Sequence, residues 1–382
     1  MRQAIRHWVR RMFLRGRLLE AWHLNKSRRL ERAYCRQLLG LAAQPVPAPV
    51  QLNLPRRRAV RSILLIADVM WELDQLVPEL RKIGQVSLLD LHPALERRPP
   101  GPSRIEAVAR AVEDFARVQK SLDPDVILFY ARPSILSDAA FEHLRRRWSC
   151  PLLGMNLDDK TQFFPYGIFS AGDDNYRHWA AKFDLNITSA PAAVDWYHHS
   201  GLPCIYVPPG FHLPEDLPPP GPEPRFNYTL SFVGSCRLER KLIIDQLLAL
   251  GLPITLFGQG WPTSQWAQRP AQIYRASQLN LGIGLCTASG GMTNLKARDF
   301  ECPGVGACYL TTYNWELLQH WDAGREILFY RTVEELVEVY TYYRRRPQDC
   351  LRIAQAAYRR AAAEHTWEKR FRTLFAQAGI LA

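Results

Sequence analysis

Long apolar runs, closely spaced cysteine pairs and acidic residues near the amino terminus are what this 382-residue chain has least of. No stretch approaches the roughly 18 apolar residues that a membrane-spanning helix needs. Arginines interrupt the first residues before the apolar core of a signal peptide can form. The eight cysteines contain no C-x-x-C pair, so neither a zinc ribbon nor a disulfide framework is indicated, and buried thiols in a reducing cytoplasm are expected. The G-x-S-x-G elbow of serine hydrolases is missing, as is the Walker lysine motif, so phosphate binding here need not mean ATP hydrolysis.

What is present is globular: 47% apolar residues with 23% charged. The length suits two domains of ordinary size. The net charge of +12 is concentrated at one end, because residues 1–61 hold 15 Lys and Arg against 2 Asp and Glu. Within that segment Ile5, Trp8, Val9 and Met12 recur at helical spacing between arginines. Such a helix can pack on its own domain with its arginines toward water, or lie on an anionic membrane surface. A nucleic-acid reading has little support, since the body shows no nucleic-acid module and charge alone is poor evidence. Pro45, Pro47 and Pro49 suggest a detachable arm. The expected location is cytoplasmic, with peripheral contact at the inner membrane face through residues 1–40 as an option.

After the arm, short apolar strands alternate with helices. Strands are expected at 62–67, 86–90, 125–130, 152–156, 184–188 and 204–207, with helices at 73–82, 105–122, 136–147 and 190–199. This alternation predicts a doubly wound parallel sheet. Residues 208–224 hold eight prolines, a density that stops both helix and strand and marks a stiff linker. A second alternation begins at Tyr228, with strands at 230–235, 254–261 (with glycine near its end), 279–285 and 306–310 and helices at 242–250, 334–345, 348–363 and 367–378. The predicted organisation is a basic helical arm (1–50), a first Rossmann-like domain (51–207), a linker (208–226), a second Rossmann-like domain (227–364) and a crossover helix (365–382).

The second half carries the chemistry. The strand through Phe232 and Val233 ends in Gly234 and Ser235 and is followed by Arg237, Arg240 and Lys241, cations suited to a diphosphate. A second strand ends at Gly258. Gly290 and Gly291 permit a backbone turn that side chains would obstruct. Thr293 or Asn294 is expected to cap a helix there, and Asn294, Arg298 and Glu301, spaced four and three apart, would share one face. Such an arrangement can hold something anionic and hydroxylated, or can be a solvated helix face with an Arg298–Glu301 ion pair.

Phe232-Val233-Gly234-Ser235, Phe257-Gly258-Gln259-Gly260-Trp261, the run from Lys296 to Glu301, Glu326-Ile327-Leu328 and His365-Thr366-Trp367 together resemble the CgeB-like (spore maturation protein) branch of group 1 glycosyltransferases. The resemblance spans about 228–375. In the first half it is confined to Asn156-Leu157-Asp158-Asp159, 184–189 and Val207-Pro208-Pro209-Gly210. It implies the GT-B architecture, two Rossmann-like domains facing each other across a cleft, with a nucleotide-sugar on the second domain and the acceptor on the first. It implies that Glu301 binds the ribose hydroxyls and that Arg237 and Lys241, with Arg240, hold the diphosphate. Related enzymes often have a second glutamate eight positions before the first; Thr293 stands there in this chain.

Among the carboxylates, Asp123-Pro124-Asp125 precedes a strand, the wrong end of a sheet for a metal site. Asp158 and Asp159 follow a strand, so either is placed to accept a proton from an acceptor hydroxyl, or to cap a helix or bind acceptor. Asp68 has the same placement. His198, His199 and His212 have no metal-ligand spacing. The expectation is a metal-independent, cofactor-free glycosyltransferase acting on a nucleoside diphosphate-sugar and a glycan, lipid-linked or protein acceptor. The alternatives are a nucleotide-sugar epimerase on a similar scaffold and a degenerate sugar-nucleotide-binding or assembly protein.

Overall fold

Successive residues of the first strand, β1 (Ser62–Ala67), bury on opposite sides: Ile63, Leu65 and Ala67 enter one core and Leu64 and Ile66 another. A strand covered on both faces needs such a continuous apolar run, which is why it reads so clearly. In this computed structural model the described residues are 59–381, apart from 69, 97–101, 165–174, 224 and 263–268, together with part of 21–58. Ile5, Trp8, Val9 and Met12 of the expected amphipathic helix lie outside the described residues. Among those described, no helix is long and apolar enough to cross a membrane.

The first domain runs β1, α1 (Met70–Arg81), β2 (Gln85–Asp90), α2 (His92–Leu95), α3 (Pro102–Val118), β3 (Val126–Tyr130), α4 (Asp138–Arg147), β4 (Leu152–Asn156), α5 (Asp159–Gln162), α6 (Tyr176–Ala180), β5 (Leu185–Thr188), α7 (Pro191–His199) and β6 (Cys204–Tyr206). Its six strands are parallel in the order β2-β1-β3-β4-β5-β6. Asp125 turns out to tie strand ends: its carboxylate accepts from the backbone N–H groups of Arg61 (2.6 Å) and Ser62 (3.0 Å).

The second domain runs β7 (Tyr228–Val233), α8 (Leu238–Ala249), β8 (Ile254–Phe257), α9 (Pro270–Arg275), β9 (Ser277–Gly282), α10 (Arg298–Gly304), β10 (Tyr309–Thr312), β11 (Leu328–Tyr330), α11 (Val333–Tyr343) and α12 (Pro347–Glu364). Its parallel order is β11-β10-β9-β7-β8. The sequence reading contains no strand at 328–330, because three residues at a sheet edge are too few for a periodic signal. Each sheet reverses its winding beside its first strand, at β1/β3 and at β7/β9, and there the loops beyond the carboxyl ends open a crevice. The two crevices face each other, giving two Rossmann-like domains across a cleft, the GT-B arrangement.

The chain crosses between domains twice at one place. Phe211 accepts from Trp367 N–H (3.1 Å) and donates to His365 C=O (3.2 Å), a short parallel bridge beside the linker. Beyond it α13 (Trp367–Gln377) returns to the first domain, packing Trp367, Phe371 and Leu374 against Leu73, Leu76 and Leu80 of α1. Fully buried Glu79 anchors this junction, accepting from His212 Nδ1 (2.8 Å) and Glu368 N–H (3.2 Å) and pairing with Lys82. His212, which has no metal-ligand spacing in the sequence, therefore has a structural partner.

Candidate active site

The turn after β7 is built around Gly234. A Cβ there would lie 2.7 Å from Arg298 Nη2 and 3.2 Å from Arg240 Nη1, so only glycine lets both guanidiniums close on the turn. Gly258 at the end of β8 backs it: a Cβ there would meet Gly234 O at 2.6 Å. Arg240 and Arg298 both sit against the Phe232 ring, 5.9 and 4.9 Å from its centroid. Arg240 is 8% exposed and spends Nη1 on Ser235 O (3.0 Å), while its Nε and Arg298 Nη1 are buried with no hydrogen-bond partner. Burial, reinforced by the charges of Arg298 and Arg237, pushes the Arg240 guanidinium down to about 9. Lys241 faces elsewhere, pairing with Asp245 one turn along α8 at the surface.

The expected helix from Thr293 begins later. Thr293 forms an antiparallel bridge with Leu285, and α10 starts at Arg298 with Asp299 accepting from Lys296 N–H at 2.7 Å. Backbone pairing and a cross-cleft side chain outcompete the local capping signal. Asn294 is 1% exposed, yet it reaches the other domain: Nδ2 donates to Leu157 O (2.8 Å) and Asp158 Oδ1 (3.3 Å), and its Oδ1 is left buried without a partner. Arg298 and Glu301 do share α10. Burial raises the Glu301 carboxyl to about 7, with Arg298 opposing the rise.

Across the cleft, Asp158 is half-exposed and pairs with Lys296 at 3.3 Å, whose charge holds the carboxyl below its ordinary value. Asp159 does not face the opening. It is 1% exposed inside the first domain, accepting from Asn156 Nδ2 (2.6 Å) and Tyr197 Oη (3.0 Å), and burial lifts it to about 7. The Asn156 amide folds this loop back, a local hydrogen bond that strand–loop patterning does not encode. Next to it Lys160 crosses to Thr293 O (3.0 Å) and to the buried Glu316 (2.6 Å).

Two further participants carry no sequence signal. Glu72, in the first turn of α1, hydrogen-bonds Tyr130, and burial lifts its carboxyl to about 8, with Asp158, Glu301 and Asp68 adding to the rise. Glu31, in the basic arm, rests its carboxylate on Gly291 N–H and the Thr287 hydroxyl, while Tyr34 one turn on is buried against Phe164 and Trp196 of the first domain. Gly290, at φ +78°, supplies the turn that presents that loop.

Residues 239–376 match a family model described as "Glycosyl transferase-like". Among solved structures the chain is similar to a sucrose-phosphate synthase from Thermosynechococcus elongatus, at 14% identity and TM-score 0.54 over 83% of this chain and 100% of that one. It is similar to HepE of Anabaena in complex with UDP and glucose, with the same identity, TM-score and coverage. A protein described as a UDP-N-acetylglucosamine 2-epimerase from Listeria monocytogenes gives 13% identity and TM-score 0.50 over 84% of this chain and 96% of that one. No curated protein matches. At such identities the likeness to solved structures is one of fold, and the chain is a GT-B-fold protein whose residues 239–376 match a glycosyltransferase-like domain.

Proposed function

We propose that this protein is a glycosyltransferase that moves a sugar from a nucleoside diphosphate-sugar to an acceptor hydroxyl. The observation that carries the reading is the Arg240–Arg298 pair: two like charges, removed from water on one phenyl ring, with buried N–H groups unpartnered. Desolvated like charges are costly unless an anion completes them. A diphosphate brings two negative groups with oxygens at guanidinium spacing, and Arg237 adds a third cation beside the same turn. As the sugar–phosphate bond breaks, these cations offset the charge gathering on the departing diphosphate, a stabilisation that supplies much of the rate in such sites. Lys241, engaged with Asp245, contributes from the periphery.

Glu301, on the same helix as Arg298, hydrogen-bonds the ribose hydroxyls of the donor. In support, Gly291 N–H and the Thr287 hydroxyl donate to the Glu31 carboxylate, and the same donors would serve an anionic donor group. Asn294 and the Asp158–Lys296 pair join the acceptor-side lobe to the donor-side lobe, and closure there expels water that would otherwise hydrolyse the donor. The cations come from side chains, so the scheme calls for neither metal nor cofactor. Residues 1–40 would bring the enzyme to an anionic membrane face, where a lipid-linked acceptor resides.

The test is thermal stabilisation by UDP-, GDP- and ADP-sugars, since a ligand that binds the native state raises its apparent stability by mass action. At least one is expected to raise the Tm of the wild type, and to raise it less in Glu301→Ala. Stabilisation by none of them would defeat the reading. Interconversion of sugar epimers without an acceptor would assign the fold to the epimerase alternative.

A further inference from the structure

The described residues between 21 and 36 are helical, and their two sides differ in kind. One side is docked on both lobes. Tyr34 is 3% exposed; its ring meets Phe164 and Trp196 edge-on at 5.8 and 5.9 Å, and its hydroxyl donates to the backbone oxygen of Asp159 at 3.4 Å. One turn back, Glu31 lies against the second domain, where a Cβ on Gly291 would collide with its Oε1. The other side carries arginines. Arg28, Arg29, Arg32 and Arg36 are all exposed, and Arg32 and Arg36 lay Nε on the carbonyls of Arg28 and Arg32 at 3.2 and 3.3 Å. Spacing of four sets Arg28, Arg32 and Arg36 in one row, outside the docked side. Glu31 is one of only two acids in residues 1–61, against 15 Lys and Arg, and it is turned to the protein. The row therefore presents its charge outward.

Resting on the membrane placement proposed above for residues 1–40, we infer that this arginine row is the surface on which the protein meets an anionic phospholipid bilayer, with the helix docked as it is here. A flat anionic surface attracts a row of guanidiniums through the summed potential of its headgroups, a gain of roughly fivefold in affinity for each basic residue. Nucleic acid would attract the same charge. The sequence upstream, however, sets Ile5, Trp8, Val9 and Met12 between arginines, apolar residues that a bilayer interface takes up and a phosphate backbone does not. The docked side fixes the orientation. With the row on the headgroups, the Gly290–Gly291 loop lies behind the helix, one helix diameter or about 10 Å from them. An acceptor carried on a lipid then reaches the cleft without leaving the bilayer.

The experiment is co-sedimentation of the full chain with phosphatidylcholine vesicles, with and without phosphatidylglycerol. It compares wild type with Arg28→Gln/Arg32→Gln/Arg36→Gln and with Arg28→Lys/Arg32→Lys/Arg36→Lys. Wild type is expected to bind only the vesicles that contain phosphatidylglycerol. Loss of three charges should weaken that binding by about 100-fold, while lysine should hold it within about threefold. Both variants should keep the wild-type Tm, because the side chains are exposed. Binding of the glutamine variant within about threefold of wild type, failure of lysine to hold it, or equal binding to neutral vesicles would each overturn the inference. So would tighter binding of a duplex oligonucleotide than of the anionic vesicles, which would assign the row to nucleic acid. No sedimentation of wild type with either vesicle would remove the membrane placement as well. Calorimetry with UDP, GDP and ADP, with and without anionic vesicles, is expected to give the same affinity; a rise of about fivefold on the vesicles would mean that the helix leaves the lobes and takes Glu31 with it. Absence of diphosphate binding, with arginine-dependent sedimentation intact, would sink the glycosyltransferase reading and leave the surface standing.

Discussion

Arg240 and Arg298 share one face of the cleft through a single ring, Phe232, though they are 58 residues apart in sequence. Their juxtaposition is unfavourable for Arg240 without an anion, because it has lost water and Arg298 lowers its affinity for its proton, whereas Asp299 and Glu301 lie beside Arg298 and favour its charge. Replacing one by an apolar residue of similar length removes the repulsion and the desolvation together, a change that is often neutral or stabilising. Arg240→Met is therefore expected to leave the ligand-free Tm no lower than wild type while abolishing stabilisation by UDP, GDP and ADP. A large drop in the ligand-free Tm, with diphosphate binding intact, would mean the pair is structural.

The parts of this architecture that were legible are those with a local cause. β1 and β3 announce themselves as apolar runs because both faces are covered, and the turn after β7 announces itself because glycine and arginine are both needed there. Arg298 and Glu301 were legible as an i, i+3 pair on one helix. Asn294, expected on that helix, lies before its start, because its position is decided by Leu157 in the other domain. Glu72 and Glu31 were invisible for the same reason: an acid in the first turn of a helix, or amid basic residues, looks like ordinary charge placement until the partner lobe is in view.

Acid should weaken the seam between the domains. His320, which bonds Tyr206 of the first domain at 3.0 Å, is lowered to about 3, and His365 to about 4, by burial and then by Arg370. An unfolded histidine titrates near 6.5, so below that value the unfolded chain binds protons that the folded one refuses, and stability falls with pH. Glu72, Glu301 and Asp159 pull the other way, because carboxyls raised by burial favour the protonated folded state as pH drops. The histidine effect is thus a difference: between pH 7 and 5 wild type should lose on the order of 2–4 kcal/mol more than His320→Gln/His365→Gln. Parallel urea-midpoint curves for the two proteins would refute it.

Lys160 and Glu316 form a second seam contact, with Glu316 only 1% exposed. Removing the lysine strands a buried carboxylate, a loss of roughly 3 kcal/mol when nothing else compensates. Lys160→Met should lower stability by about that amount, and Lys160→Met/Glu316→Leu should recover most of it. Chemical denaturation of the two variants checks this, and a double variant no more stable than the single one would count against the pairing.

Glu31 occupies the Gly290–Gly291 loop where we propose that the donor binds. Its carboxylate takes the Gly291 N–H and the Thr287 hydroxyl, and a Cβ on Gly291 would collide with it. A diphosphate approaching the same loop has to displace this carboxylate, at the cost of one charge-assisted contact of about 1 kcal/mol net. That converts to about a fivefold gain in donor affinity when the competitor is absent. Glu31→Gln, which keeps the length but loses the charge, should therefore bind UDP or its counterparts more tightly than wild type by isothermal titration. Burial raises the Glu31 carboxyl above its ordinary value, so lowering the pH should protonate it and narrow the gap between the two proteins. If Glu31→Gln binds the diphosphate more weakly instead, the carboxylate is a part of the site and not its competitor, and the arm then closes the cleft around the donor.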